Sequence, residues 1–129
     1  MSDGLRVYIA GPYSHFDVAL NVREAVRAGL DVLKAGHVPF IPHLYHFAHL
    51  LEPQPYDSWM TLDLQWLAAC HCLVRLHGHS PGADREVERA KALGLPVYLD
   101  LAACLAALPP VRHGKETNDD RCRRRATGA

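Results

Sequence analysis

The sequence lacks an excess of charge of either sign: across 129 residues, 14 Lys and Arg face 14 Asp and Glu. That balance removes the electrostatic footprint of a general nucleic-acid binder, so no polymer partner is expected. It also lacks a long apolar run. None approaches the ~20 residues that span a bilayer, and no membrane partner is expected. The start, Met1-Ser2-Asp3-Gly4, has neither a basic region nor a cleavage site, so no signal peptide is expected and the expected location is cytoplasmic. Paired cysteines are missing too. Cys70, Cys72, Cys104 and Cys122 form no CxxC, which fits free thiols in a reducing compartment rather than a disulfide framework. No internal repeat, GxGxxG, Walker loop or HExxH occurs, so the familiar dinucleotide, P-loop and zincin signatures are excluded.

What is present is an alternation of short apolar runs and amphipathic stretches. Residues 5–10 read as a strand ended by Gly11 and Pro12. Residues 17–35 read as a helix, with Val18, Val22, Ala25, Gly29 and Val32 at helical spacing and Gly36 as terminator. Residues 38–41 form a second strand, placed at an edge by Pro39. A stretch rich in His and Pro fills 42–56. Then come a helix at 58–70, a strand at 71–76, a helix at 81–93, a strand at 96–99 and a short apolar helix at 101–108. Strands alternating with helices predict an α/β fold, a parallel sheet with helices on both faces. Ligands in such sheets bind beyond the carboxyl ends of the strands. The loops at Gly11, Pro42 and Ser80 all follow strands, so they should gather at one rim.

The phrase at 78–86 carries the most chemistry. Ser80 fits an N-cap and Pro81 the first helical position, leaving free backbone N–H groups for an anion. One turn further in comes Glu86. At ~100° per residue it lies about 70° from the centre of the apolar stripe formed by Ala83, Val87, Ala90 and Gly94. A carboxylate at the edge of a buried stripe, beside an anion-binding helix start, fits a nucleophile; it also fits a solvated glutamate on a helix flank. Asp63 sits within the arc marked by Trp59, Leu62, Trp66 and Cys70, and an ionisable group on an apolar face needs a partner or a task. The loop of Gly11, Pro12, Tyr13 and Ser14 can hold phosphate or sugar through its backbone N–H groups. Tyr8, on the first strand, either orients a carboxylate or packs. His43, His46 and His49 recur at every third position, but that spacing drifts around a helix, so convergence on a metal is not expected. His43, directly after Pro42, is better placed as a substrate contact.

These pieces, in this order, resemble the nucleoside 2-deoxyribosyltransferase superfamily over residues 5 to 100. The likeness is closest to a small bacterial and phage branch near the nucleoside 5′-monophosphate N-glycosidases. It implies a flavodoxin-like parallel sheet of about four to five strands and cleavage of an N-glycosidic bond. The family's catalytic glutamate lies between a glycine and an alanine, each four residues away, which Gly82, Glu86 and Ala90 match. Its nucleophile-orienting tyrosine matches Tyr8, and its base-contacting aspartate matches Asp63. Where the transferases carry an aspartate that grips the sugar 5′-hydroxyl, this chain has Ser80, as the nucleotide-hydrolysing relatives do. The resemblance therefore favours a 5′-monophosphate.

The expected protein is an enzyme of one domain, 1–110, followed by a disordered polar and basic tail, 111–129. It would hydrolyse a nucleoside 5′-monophosphate through Glu86, with Asp63 and Tyr8 as its catalytic partners. Gly11, Pro12, Tyr13, Ser14, His43, Ser80 and Gly82 would bind the substrate. No metal or organic cofactor is expected. Relatives imply a homodimer or larger homo-oligomer. Two rival readings stand beside it: deoxyribosyl transfer between bases on the same site, and a nucleotide-binding module without turnover.

Overall fold

The computed structural model describes residues 4–111. The tail expected at 111–129 lies, but for Val111, outside the described residues. The elements follow in the order β1 (Arg6–Ala10), α1 (Val18–Lys34), β2 (Val38–Phe40), a 3-10 turn (Pro42–Leu44), α2 (Tyr45–Leu51), α3 (Tyr56–Ala68), β3 (Cys72–Arg75), α4 (Pro81–Ala92), β4 (Val97–Tyr98) and α5 (Leu101–Ala107). The four strands form one parallel sheet in the order β2-β1-β3-β4. These are the first four positions of a flavodoxin-like doubly wound sheet. Pro39 does sit on an edge strand, where its missing N–H removes little from the ladder.

Alternation along β1 divides the core in two. Val7 and Ile9 point to one face, where they meet Ala25, Ala28 and Val32 of α1 and Cys104 of α5. Tyr8 and Ala10 point to the other, among Leu67, Leu73, Ala83 and Ala90, beneath α3 and α4. Helices thus cover both faces. Three of them start on side-chain caps: Asp17, Ser80 and Asp100 each accept from a backbone N–H one turn on. Gly36, at φ +90, ends α1 as expected.

Helix α2 is absent from the sequence reading. Its run from Tyr45 to Leu51 contains no Pro or Gly and follows the turn begun by Pro42, so a helix is locally allowed. It buries none of its residues, and so writes no apolar stripe into the sequence. In α3 the buried side chains are Met60 and Leu67, not the tryptophans: Trp66 is 45% exposed. Among the described residues, no helix is long and apolar enough to cross a membrane.

Candidate active site

The chain leaves β1 to one side, toward β2, and reaches β3 on the other. The loops after β1 and β3 therefore diverge at a switch point, leaving a crevice between them. A cavity of about 640 Å³ opens there, within the range of small-ligand sites. Its walls come from the β1–α1 loop, the segment after β2, α3 and the start of α4.

Glu86 reaches the cavity from the second turn of α4, together with Ala83 on the buried side of that helix. It is only 6% exposed, which corrects the expected half-exposed flank. Gly94 lies beyond the end of α4 at φ +75, so it does not extend the apolar stripe, and the true inward line runs through Ala83, Glu86 and Ala90. Tyr8 lies behind Glu86, fully buried, and its hydroxyl donates to Glu86 Oε2. Asp63 lines the same cavity from α3 with its Oδ1 buried and unpartnered.

The electrostatics follow from this placement. Burial pushes the Glu86 carboxyl up to about 8; the Tyr8 hydroxyl pulls it down, Asp63 pushes it up and Arg75 pulls it down. Burial likewise raises Asp63 to about 7. The Tyr8 hydroxyl is driven far above the ordinary tyrosine range by burial and then by the two carboxylates, so it stays a proton donor. The floor therefore carries two carboxyl groups poised near neutrality, one bonded to a hydroxyl and one with a buried oxygen that meets no donor among the described residues.

The other end of the cavity is formed by the start of α4 and the loop after β1. Ser80 Oγ accepts from Ala83 N at 3.0 Å, capping a helix of 12 residues that begins with Pro81. Ser80, Gly82, Gly11, Tyr13 and Ser14 all line the space. A Cβ on Gly82 would come within 3.0 Å of the Tyr56 hydroxyl, so a side chain there would crowd the mouth. Pro12, expected among the binding residues, does not line the cavity. Its carbonyl accepts from His43 Nε2 at 2.9 Å, and its ring sits so close to Gly78 that a Cβ there would meet it at 2.7 Å.

His43 is 5% exposed and lines the cavity with its Nδ1 unpartnered. Burial lowers its basicity, against the Pro12 and Gly11 carbonyls that raise it, which leaves a neutral ring with one free acceptor. His46 and His49 line the cavity as well, contrary to the drift read from their spacing. Each is tied elsewhere: His46 Nδ1 to the Tyr13 hydroxyl at 2.6 Å, and His49 Nδ1 to Trp59 Nε1 at 2.8 Å. Among the described residues, no group of three or more His, Cys, Asp or Glu is arranged to hold a metal.

Sequence reasoning missed the aromatic wall. Tyr45 and Trp59 pack at 5.6 Å between ring centres, and Tyr56 carries the Arg85 guanidinium over its ring at 5.8 Å. All four line the cavity. Tyr45 was hidden by the unrecognised helix α2, and Arg85 lies on the exposed side of α4. Only Trp59 was marked as facing inward.

Residues 5–100 match a family described as a domain of unknown function, DUF7768. The chain belongs to the DUF7768 family. The DUF7768 match spans Tyr8, His43, Asp63, Ser80 and Glu86, and with them the whole cavity. No curated protein is similar enough to match. Among solved structures, the DUF7768 chain is similar to the 2-deoxyribosyltransferase of the psychrotolerant bacterium Bacillus psychrosaccharolyticus. The two are 22% identical, with a TM-score of 0.49 over 71% of this chain and 69% of that one.

Proposed function

We propose that this protein hydrolyses the N-glycosidic bond of a nucleoside 5′-monophosphate. The observation that carries the reading is the buried Glu86 carboxyl, held by the Tyr8 hydroxyl at a cavity that Asp63 also lines. In the first step Glu86 Oε attacks C1′ and the C1′–N bond breaks. The electron pair goes to the base nitrogen, which takes the Asp63 proton. The intermediate is a glycosyl ester on Glu86. In the second step Asp63, now a carboxylate, takes a proton from water, and the water oxygen attacks C1′ and releases Glu86. Free base and sugar 5-phosphate leave. This is the double displacement of retaining glycosidases, with oxocarbenium character in each transition state.

The remaining groups fit that substrate. A planar base suits a wall of Tyr45, Trp59 and Tyr56, since stacking tolerates any π-face. The Gly82 amide at the start of α4, with the Ser80 hydroxyl and Ser14 from the facing loop, suits a phosphate dianion. His43 offers an acceptor to a sugar or base donor. No metal or organic cofactor enters either step. A homo-oligomer is part of the proposal, supported by the exposed apolar side of α2, where Phe47, Leu50 and Leu51 face outward.

The test is free-base release from a panel of common nucleoside 5′-monophosphates, with and without an added acceptor base. Base release that needs no acceptor supports hydrolysis. Turnover that requires the acceptor, giving a new nucleotide, indicates deoxyribosyl transfer. Binding without turnover, unaffected by Glu86→Ala, indicates a nucleotide-binding module.

A further inference from the structure

Strand β3 ends in a way its own pattern does not ask for. Cys72 and Val74 face the α1 and α5 side, Leu73 faces α3 and α4, and alternation puts Arg75 on the Leu73 side, toward α4. A guanidinium is thereby placed at the end of a buried strand with its side chain only 13% exposed. An apolar residue would pack there without the cost of desolvating a charge.

Its hydrogen bonds show what the charge does. Arg75 donates from Nη1 to the Leu76 carbonyl and from Nη2 to the Gly78 carbonyl at 2.9 Å. The same Nη2 meets Asp84 Oδ1 in the first turn of α4 at 3.2 Å. One planar fork thus fastens the strand end, the β3–α4 loop and the helix that carries Glu86. The loop has little slack to absorb its loss. Gly78 sits at φ +120 against Pro12, and Leu76 N is bonded to the Ala10 carbonyl at 2.8 Å.

We propose that Arg75 is a positioning residue for Glu86: its fork sets the register of α4 over the cavity, and its charge, brought to the start of that helix, favours the carboxylate that attack requires. The inference deepens the hydrolytic reading and rests on it for the part that concerns turnover. Helix α4 packs against α3, β1, β3 and β4. From those elements Asp63, Tyr8 and Arg75 act on Glu86, while Tyr98 of β4 packs with the core of the opposite face. Asp84 and Arg85, on α4 itself, are exposed. Arg75 is thus the cation among these groups that opposes both burial and Asp63.

The experiment uses the full chain and two variants. Arg75→Gln removes the charge and keeps amide donors for the loop carbonyls; Arg75→Lys keeps the charge and loses the planar fork. The Glu86 carboxyl is titrated by infrared spectroscopy and assigned by the band lost in Glu86→Gln. In Arg75→Gln its midpoint should rise by about one unit, and in Arg75→Lys it should stay within a few tenths of wild type. Base release at pH 7 should fall at least roughly tenfold in Arg75→Gln, and the part of the deficit that depends on protonation should vanish above pH ~10, where both proteins are ionised at Glu86. Arg75→Lys should instead lose kcat by a factor independent of pH, because its defect is one of aim. An unchanged Glu86 midpoint in Arg75→Gln overturns the proposal, as does a raised midpoint in Arg75→Lys. If Arg75→Gln does not fold, the Arg75→Lys midpoint and its pH-independent loss decide alone. The titration reads Glu86 whether or not wild type releases base, so failure of the hydrolytic reading shows separately, as absent turnover beside a shifted midpoint.

Discussion

The Tyr8 hydroxyl donates to Glu86 Oε2 across 78 residues of sequence, joining the middle of the first strand to the second turn of α4. Among the described residues, neither group has another side-chain hydrogen bond, and both are buried. A buried carboxylate is costly unless a donor answers it. Here the answer is a single neutral hydroxyl. The carboxyl is therefore oriented but only partly stabilised, which keeps it reactive.

The pH profile of base release should be a narrow bell. Glu86 must have lost its proton, so the rate falls below about 8. Asp63 must hold its proton, so the rate falls above about 7. The productive form is then a minor one, with a maximum between these values, and the two limbs belong to the coupled pair. Tyr8→Phe removes a group that lowers Glu86, so it should cut the height of the bell and move its falling limb to higher pH. A profile flat from pH 6 to 9 would contradict the assignment.

Stability should run the opposite way to ionisation. The folded Glu86 value lies above the model-compound value of 4.5, so its contribution is complete below that pH. It is lost as pH rises toward about 8, because the folded state resists giving up the proton. Glu86→Gln keeps an acceptor for Tyr8 and removes the charge. It should raise Tm by several degrees at pH 8, about 4–8 °C for each kcal/mol relieved, and by almost nothing at pH 4. Thermal melts at the two pH values check the sign. Base release by the same variant should drop by more than ~10³-fold.

Asp63→Asn should slow poor leaving groups more than good ones. Proton donation matters most when the departing base holds its electrons badly. Comparing a natural nucleotide with a glycoside bearing an activated leaving group gives the answer. Equal losses on both would reduce Asp63 to a packing or positioning role.

Ser80→Asp should erode a preference for 5′-monophosphates over nucleosides. Aspartate is an equally good N-cap, so the helix start survives, but its charge opposes a phosphate. A preference of about 10²-fold in kcat/KM is expected in wild type, and a fall of at least tenfold in the variant. Wild type that handles a nucleoside as well as its monophosphate would remove the phosphate assignment.

Much of this was legible because it is written locally. The caps at Asp17 and Ser80, the terminating Gly36 and the alternation of Val7, Tyr8, Ile9 and Ala10 each act within a few residues. Glu86, Asp63, Ser80 and Gly82 were therefore found as residues of the cavity. The depth of Glu86 was not, because it is set by Tyr8 and by α3, and no helical wheel contains them. Helix α2 was illegible for a different reason: it buries nothing, and periodicity reports only burial. On α3, large aromatic rings outweighed Met60 in the reading of its face, yet size does not decide which side meets the sheet. Arg75 was read as part of a strand, since only the folded β3–α4 loop supplies its acceptors.

The strand order also dictates when chemistry becomes possible. Val7 to Ala10 pair with Cys72 to Arg75, a parallel match that closes over three α-helices, a 3-10 turn and an intervening strand. Such pairing is slow because chain entropy is lost long before contacts repay it. During synthesis, the first half of the chain emerges with Tyr8 and a sheet edge but no Glu86. A truncated product ending before α4 would carry the aromatic wall and an aspartate, yet be chemically silent. On the proposed hydrolytic reading, the nucleophile arrives only with the segment that completes the sheet, so half-made protein would not attack the nucleotides around it.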